Sequence, residues 1–490
     1  MIKFGEFLPD RSAFGNAGTT VAVNVVPSIT GYESLDDIAP VSGAADGIIK
    51  GMYAATDDDN NFALYAGDST KLYKLDTTDS SLTNISKAGN YTTAAADRWR
   101  FVQFGESVIA TNFGDPIQTI TAAASGLFSD LSADAPKAKY IAVVRDFVFT
   151  GYNYDATDGT KPYRVRWSGI NDHTSWAIDP VTQADFQDIS DLGEVTGLVG
   201  GEYATILMQK GIVRAEYIGS PLIFQFDKVE TNRGCKVPNS VCNVGSNVFY
   251  LADDGFYVFN GENSTPIGAE KVDRFFLGDF NSGYAENMSA SVDPIRKIVV
   301  WSYPSTESAD GSADKLIIYN YFLGRWSTAE VAVDTLAPLY SSGYTLENLD
   351  NLSGSIDDLP ASLDSSFYRG GEFFFAASKD KKIQSFTGAT LPATLETGEF
   401  EIQSGFSSNI RNIIPYVTVQ QSQSAVVTAQ VASRNRQIDT FEFGAAGTLN
   451  SDNYIPVRST GKYHRIRVNL TGGWRKAQGV EIEASKLGRR

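Results

Sequence analysis

One formula recurs along this chain and restricts its fold more than any other feature: five or six strand-prone residues, a short polar turn, then a second, aromatic-rich strand. It reads FALYAGDSTKLYKLD at 62–76, TILMQKGIVRAEYIG at 205–219, VFYLADDGFYVFNG at 248–261 and FFFAASKDKKIQSFTG at 373–388. The turns hold Asp, Gly and Lys, residues that tolerate the tight or left-handed backbone of a hairpin. Weaker copies are WRFVQFGESVIATNFG (99–114), IAVVRDFVFTGYN (141–153) and the pair spanning 297–328, whose loop 304–313 interrupts the hairpin. Repeats start near 48, 99, 138, 194, 240, 288 and 334, a mean spacing of about 48 residues, which suits four short strands. Such a unit cannot bury both faces alone and must stack on neighbours around an axis. The fold expected is all-β: a β-propeller of six or seven blades in preference to a series of β-sandwiches, because a closed ring hides sheet edges.

Charge divides the chain. The formal net charge is −17, yet residues 400–490 hold twelve Lys and Arg against six Asp and Glu. That leaves −23 on 1–399 and +6 on the C-terminal block. Within this block IPYVTVQ, VVTAQVAS, YHRIRVNL and GVEIEAS alternate as the strands of a compact sandwich do. The expected division is an N-terminal arm and lead-in strand over 1–45, a propeller over 46–395 and a basic β-sandwich-like domain over 396–490. The Leu-rich stretch 346–367, broken by Gly354 and Pro360, reads as an excursion (341–368) from the last repeat toward a partner. TTVAVNVV (19–26) or the stretch 390–402 is the expected strand that closes the ring. The arm carries Phe4, Phe7, Leu8 and Phe14 around Arg11 with no repeat to pack into, so it is expected to order against a neighbouring subunit or an adaptor ring. In the basic block Arg465, Arg467, Arg475 and Lys476, with Trp474 beside two of them and Arg489 and Arg490 at the end, form the expected interface.

Signatures of chemistry are weak. No P-loop, nucleophile elbow, HExxH or usable GxGxxG occurs, and neither catalytic, cofactor-binding nor metal-ligating residues are assigned. Cys235 and Cys242 lack a second pair and a nearby His, so they read as buried thiols and not as zinc ligands. Asp57–Asn61 starts like a calcium loop, but Phe62 stands where Gly is needed; it reads as a hairpin turn. SGINDHTSW (168–176) superficially resembles the Asp turn of sialidase-like propellers, where that turn is structural. His173 and His464 read as structural histidines. Without a signal peptide or an apolar run of about 18 residues, the expectation is a soluble product of a reducing compartment.

Several phrases together resemble a known family. They are VVPSITGYESLDDIAP (25–40) after an extended arm, RVRWSGINDHTSW (164–176), ADDGFYVFNG (252–261), TLENLDNLSGSIDDLPASLDS (345–365) and the ending KYHRIRVNLTGGWRKAQGVEIEASKLGRR. They resemble the packaged-DNA stabilisation proteins of short-tailed bacteriophages, also called tail hub, stopper or nozzle proteins. The resemblance implies a non-enzymatic virion tail protein made in the host cytoplasm. It would form a ring, a hexamer, below the portal and adaptor, and close the DNA exit channel until ejection. The implied partners are copies of itself, the head-to-tail adaptor, other tail components (fibre, needle or tailspike) and duplex DNA passing without sequence-specific contacts. The residues agree on one point: a conduit should not grip phosphates, and a body of −23 does not. The alternatives are a propeller glycosidase or polysaccharide-degrading tail enzyme, and a carbohydrate- or protein-binding propeller.

Overall fold

A computed structural model describes residues 1–341, 355, 370–420 and 423–488. The excursion at 342–369, apart from Ser355, and the pair Arg489 and Arg490 lie outside the described residues. Among the described residues seven four-stranded antiparallel units succeed one another along the chain, six as separate sheets and the sixth in sequence as part of a nine-stranded sheet. Their first strands begin at Gly51, Arg100, Lys137, Val195, Cys242, Ser289 and Thr335, each within three residues of the repeat starts read from the sequence. The fold is a seven-bladed β-propeller followed by a β-sandwich.

Apolar residues on both faces of each sheet explain the ring. Seven clusters of buried side chains each join one blade to the next. Tyr65 and Val108 lie between blades one and two, Ile109 and Val148 between two and three, and Phe149 and Ala215 between three and four. Leu207 and Tyr250 follow, then Phe256 and Trp301, then Val300 and Ala377. Leu339 and Leu64 bring blade seven against blade one. With seven interfaces for seven blades, no sheet face is left open.

Closure differs from the expectation. Blade seven takes three strands from Thr335–Tyr340, Phe373–Lys379 and Lys382–Ser385, and its outermost strand is Ala39–Pro40. Pro40 lacks an N–H, which is harmless on the last strand of a sheet. Neither expected closing segment serves. Thr19–Val23 and Ala393–Thr397 pair antiparallel with each other, and Val23 bridges in parallel to Thr328 of blade six. One nine-stranded sheet therefore runs from blade six through these two strands into the C-terminal block.

The N-terminal arm is part of the sandwich. Val25–Ser28 and Gly31–Ser34 form a hairpin edging the sheet of Trp474–Lys486, Ser408–Val419 and Ile455–Gly461, and Ile2–Lys3 pairs with Trp474–Lys486. Gly31 cannot carry a side chain, because its φ is +134° and a Cβ would meet the Ala477 carbonyl oxygen at 2.2 Å. Phe4, Phe7 and Tyr32 enter the same core as Ile410, Ile466, Val468 and Trp474. Glu6 pairs with Lys271 at 2.6 Å, and the Asp10 carboxylate accepts from the backbone N–H groups of Arg274 and Phe275. That contact caps Asp273–Asp279, a short helix not anticipated from the sequence. The sandwich thus comprises Ile2 to Ser34 together with Ala393 to Lys486, and a boundary at 396 would cut through one of its strands.

His464 is buried in this sandwich. Ser408 Oγ lies 2.7 Å from Nε2 and Ser433 Oγ 2.7 Å from Nδ1, a set that satisfies a neutral ring. Burial pulls its pKa down to about 4. Above pH 6.5 the ring is neutral in both folded and unfolded chains; between 6.5 and 4 only the unfolded chain takes up the proton. Stability contributed by the neutral ring is therefore lost as pH falls through that window, by about 3 kcal/mol. Urea unfolding of the wild type and His464→Gln from pH 7 to 4 checks this. The difference between the two curves should slope only below pH 6.5, and parallel curves would refute it.

Candidate subunit interface

The basic residues of the C-terminal block divide into two groups. Along Tyr463–Gly472 alternate residues Ile466, Val468 and Leu470 point into the core, so Arg465 and Arg467 point outward beside Ala393–Thr397. There both meet the nearly buried Glu396: Arg467 Nη2 lies 2.9 Å and Arg465 Nη1 3.4 Å from its carboxylate. Phe441 lies 4.7 Å over Arg465, and Phe443 lies 3.9 Å over Arg467. These two expected interface residues are occupied within the chain. Phe4, Phe7 and Trp474 are buried in the chain's own core and offer no face to a partner. Arg11 is exposed at the arm's turn, where its N–H donates to the Leu8 carbonyl.

Arg475 and Lys476 have a different setting. They line a groove of about 490 Å³ where the sandwich meets the outer hairpins of blade six. Lys476 is 3.6 Å from Glu33, whereas Arg475 is exposed. The opposite wall comes from two turns of blade six, Asp293–Ile298 and Asn320–Arg325, which bring Arg296, Lys297 and Phe322 to the groove. Arg325 fastens the near wall by donating to the Ser28 carbonyl at 2.9 Å, and Ser327 donates to that of Val25 at 2.6 Å. Three large apolar side chains remain open here: Ile29 at 70%, Ile295 at 68% and Phe322 at 67% exposure. Lys297 Nζ sits 4.4 Å from the Phe322 ring centroid. The groove is therefore apolar at its lips and carries more basic than acidic groups.

Of the residues lining this groove, Arg475 and Lys476 were singled out from the sequence, and Ile29, Ile295, Lys297 and Phe322 were not. The available signal was an apolar residue at the tip of a hairpin turn, in VPSITG, DPIRK and NYFLG, where polar residues are the rule.

The other motifs are local structure. The Asp57 carboxylate accepts from the N–H groups of Asp59 and Asn61, closing the first hairpin of blade one. Asp172 accepts from the Thr174 N–H and hydroxyl, and the buried Trp176 indole donates to the His173 carbonyl. Cys235 and Cys242 are free thiols; burial raises Cys235 to about 11 and Cys242 higher still. Among the described residues no three His, Cys, Asp or Glu side chains converge as a metal site, and no helix is long and apolar enough to cross a membrane.

No family model and no curated protein matches the chain. Solved structures similar to it include the Pan2 WD40 domain of Neurospora crassa, at 9% identity and a TM-score of 0.40, covering 72% of this chain and 96% of that one. Another is the extracellular domain of the putative one-component system BT4673 from B. thetaiotaomicron, at 9% identity and a TM-score of 0.42, covering 86% of this chain and 48% of that one.

Proposed function

We propose that this protein is a structural tail component of a short-tailed bacteriophage, a ring-forming subunit that retains packaged DNA and serves as its conduit on ejection. The groove between blade six and the sandwich carries this reading. Exposed apolar side chains around one groove, beside Arg475 and Lys297, which make no ion pair among the described residues, are a burden on a lone subunit and an asset at a subunit or adaptor contact. The sequence phrases that resemble tail hub proteins support it. So does the continuous sheet from blade six to the sandwich, which suits a part that must bear load without a flexible joint.

Paired substitutions test it. Arg475→Glu with Phe322→Asp alters two exposed positions, so the fold should stand, with stability within about 1 kcal/mol of wild type. Ring assembly, alone or on the adaptor, should fail in analytical ultracentrifugation and electron microscopy. Wild-type assembly unaffected by the pair would place the contact elsewhere. Wild type that never forms rings, with or without adaptor, would defeat the functional reading. Purified protein should show no salt-sensitive retention of duplex DNA.

A further inference from the structure

The propeller axis carries a second feature, independent of the tail reading. First strands of six blades line the axial channel, where Met52, Arg100, Tyr140, Leu198, Ser289 and Thr335 converge with Val241, the residue before the first strand of blade five. Toward the end where the first strands begin lies a cavity of about 240 Å³ that shares Arg98, Arg100, Tyr140 and Asn239 with the channel wall. Arg98 and Arg100 stand in it. Arg98 donates to the backbone carbonyls of Asp334 at 3.1 Å and Glu286 at 3.3 Å. Arg100 donates to Asn239 Oδ1 at 2.8 Å and lies 4.7 Å over the Tyr140 ring. Among the described residues neither guanidinium forms an ion pair.

Each guanidinium has five N–H donors, and these contacts use two on Arg98 and one on Arg100. Both side chains line the cavity. Asn239 is itself held, donating to the Glu286 carbonyl at 2.7 Å, so Arg100 is oriented before any ligand arrives. Burial, with the neighbouring Arg100 charge, lowers Arg98 to about 10, which leaves it cationic at neutral pH, and burial lowers Arg100 as well. The carboxylates at this mouth are those of Asp97, Glu286 and Asp334; Asp97 is engaged by Lys139 at 3.4 Å. Two desolvated forks facing one cavity, with donors to spare, form an arrangement suited to an oxyanion.

We infer that this mouth of the axial channel binds a small free oxyanion of phosphate size between Arg98 and Arg100. A volume of about 240 Å³ suits a small ion and not a nucleic acid strand, so the ligand is a free small molecule.

Inorganic phosphate is the probe, compared with chloride at matched ionic strength on the full chain. At about 100-fold excess over Kd the melting temperature should rise by about 2–3 °C in phosphate. Arg100→Gln should abolish the rise, and Arg411→Gln, an exposed change on the sandwich, should keep it. Isothermal titration with phosphate at 25 °C should give one site in wild type and at least tenfold weaker binding in Arg98→Lys, which keeps the charge and loses the fork. This second variant serves if Arg100→Gln does not fold. An equal melting temperature in phosphate and chloride, or a rise that survives Arg100→Gln, would overturn the assignment.

Discussion

Deleting residues 1–34 should leave the propeller folded and abolish the sandwich. The deletion removes both strands of the Val25–Ser28 and Gly31–Ser34 hairpin, and Thr19–Val23, the strand between blade six and Ala393–Thr397. It also withdraws Phe4, Phe7 and Tyr32 from a core shared with Ile410, Val468 and Trp474. Loss of one buried aromatic costs about 3–5 kcal/mol, and a domain is stable by only about 5–15 kcal/mol. Three such losses plus two exposed sheet edges exceed what the sandwich holds. Ala39–Pro40 remains, so blade seven keeps its outer strand. Limited proteolysis should cut freely after 393 and spare 51–340. A truncated chain that melts and resists protease as wild type does would show that the arm is dispensable.

The second large effect is expected at Glu399. Its side chain is fully buried, and its two oxygens receive Arg434 Nε at 3.0 Å and Nη2 at 2.7 Å. Its backbone N–H donates to the Ala13 carbonyl, so this residue sits where the arm joins the sandwich. Removing one partner of a buried ion pair strands the other charge. Glu399→Ala should therefore cost about 3 kcal/mol, at the lower end for such pairs because Arg434 keeps some access to water. Glu399→Ala with Arg434→Met should recover part of the loss, since no unpaired charge remains. Denaturant midpoints at pH 7 measure both. A cost below about 1 kcal/mol for the single change would mean that water reaches Arg434 and the pair contributes little.

These two sites mark where sequence reading succeeded and where it stopped. The hairpins were legible because each is local. FALYAGDSTKLYKL shows its turn and both strands within fifteen residues, and Phe62–Gly67 pairs with Leu72–Leu75 as that pattern demands. The helix Asp273–Asp279 was not legible: DRFFLGD is shorter than two turns, and an aspartate more than 260 residues away caps it. Ala39–Pro40 is two residues long and has no pattern to read.

For the interface, the exposed base at Arg475 was visible in the sequence, as was the surplus of positive charge after residue 400. The destination of that surplus was not. Arg465 and Arg467 looked equally available, yet register places Glu396 directly opposite Arg467, and the pair is spent inside the subunit. Ile29, Ile295 and Phe322 belong to three separate turns, and only packing of the sandwich on blade six gathers them.

The sequence by itself therefore determined the repeating unit, where its copies start and the all-β class, but left six or seven blades open, because alternation and turn chemistry act within a dozen residues. The tertiary structure decided which strand closes the ring, that the N-terminal arm completes the C-terminal sandwich, and which charges stay open. Those outcomes depend on contacts between residues hundreds of positions apart. Burial of one sheet face against another selects them, and no local preference of the chain encodes that choice.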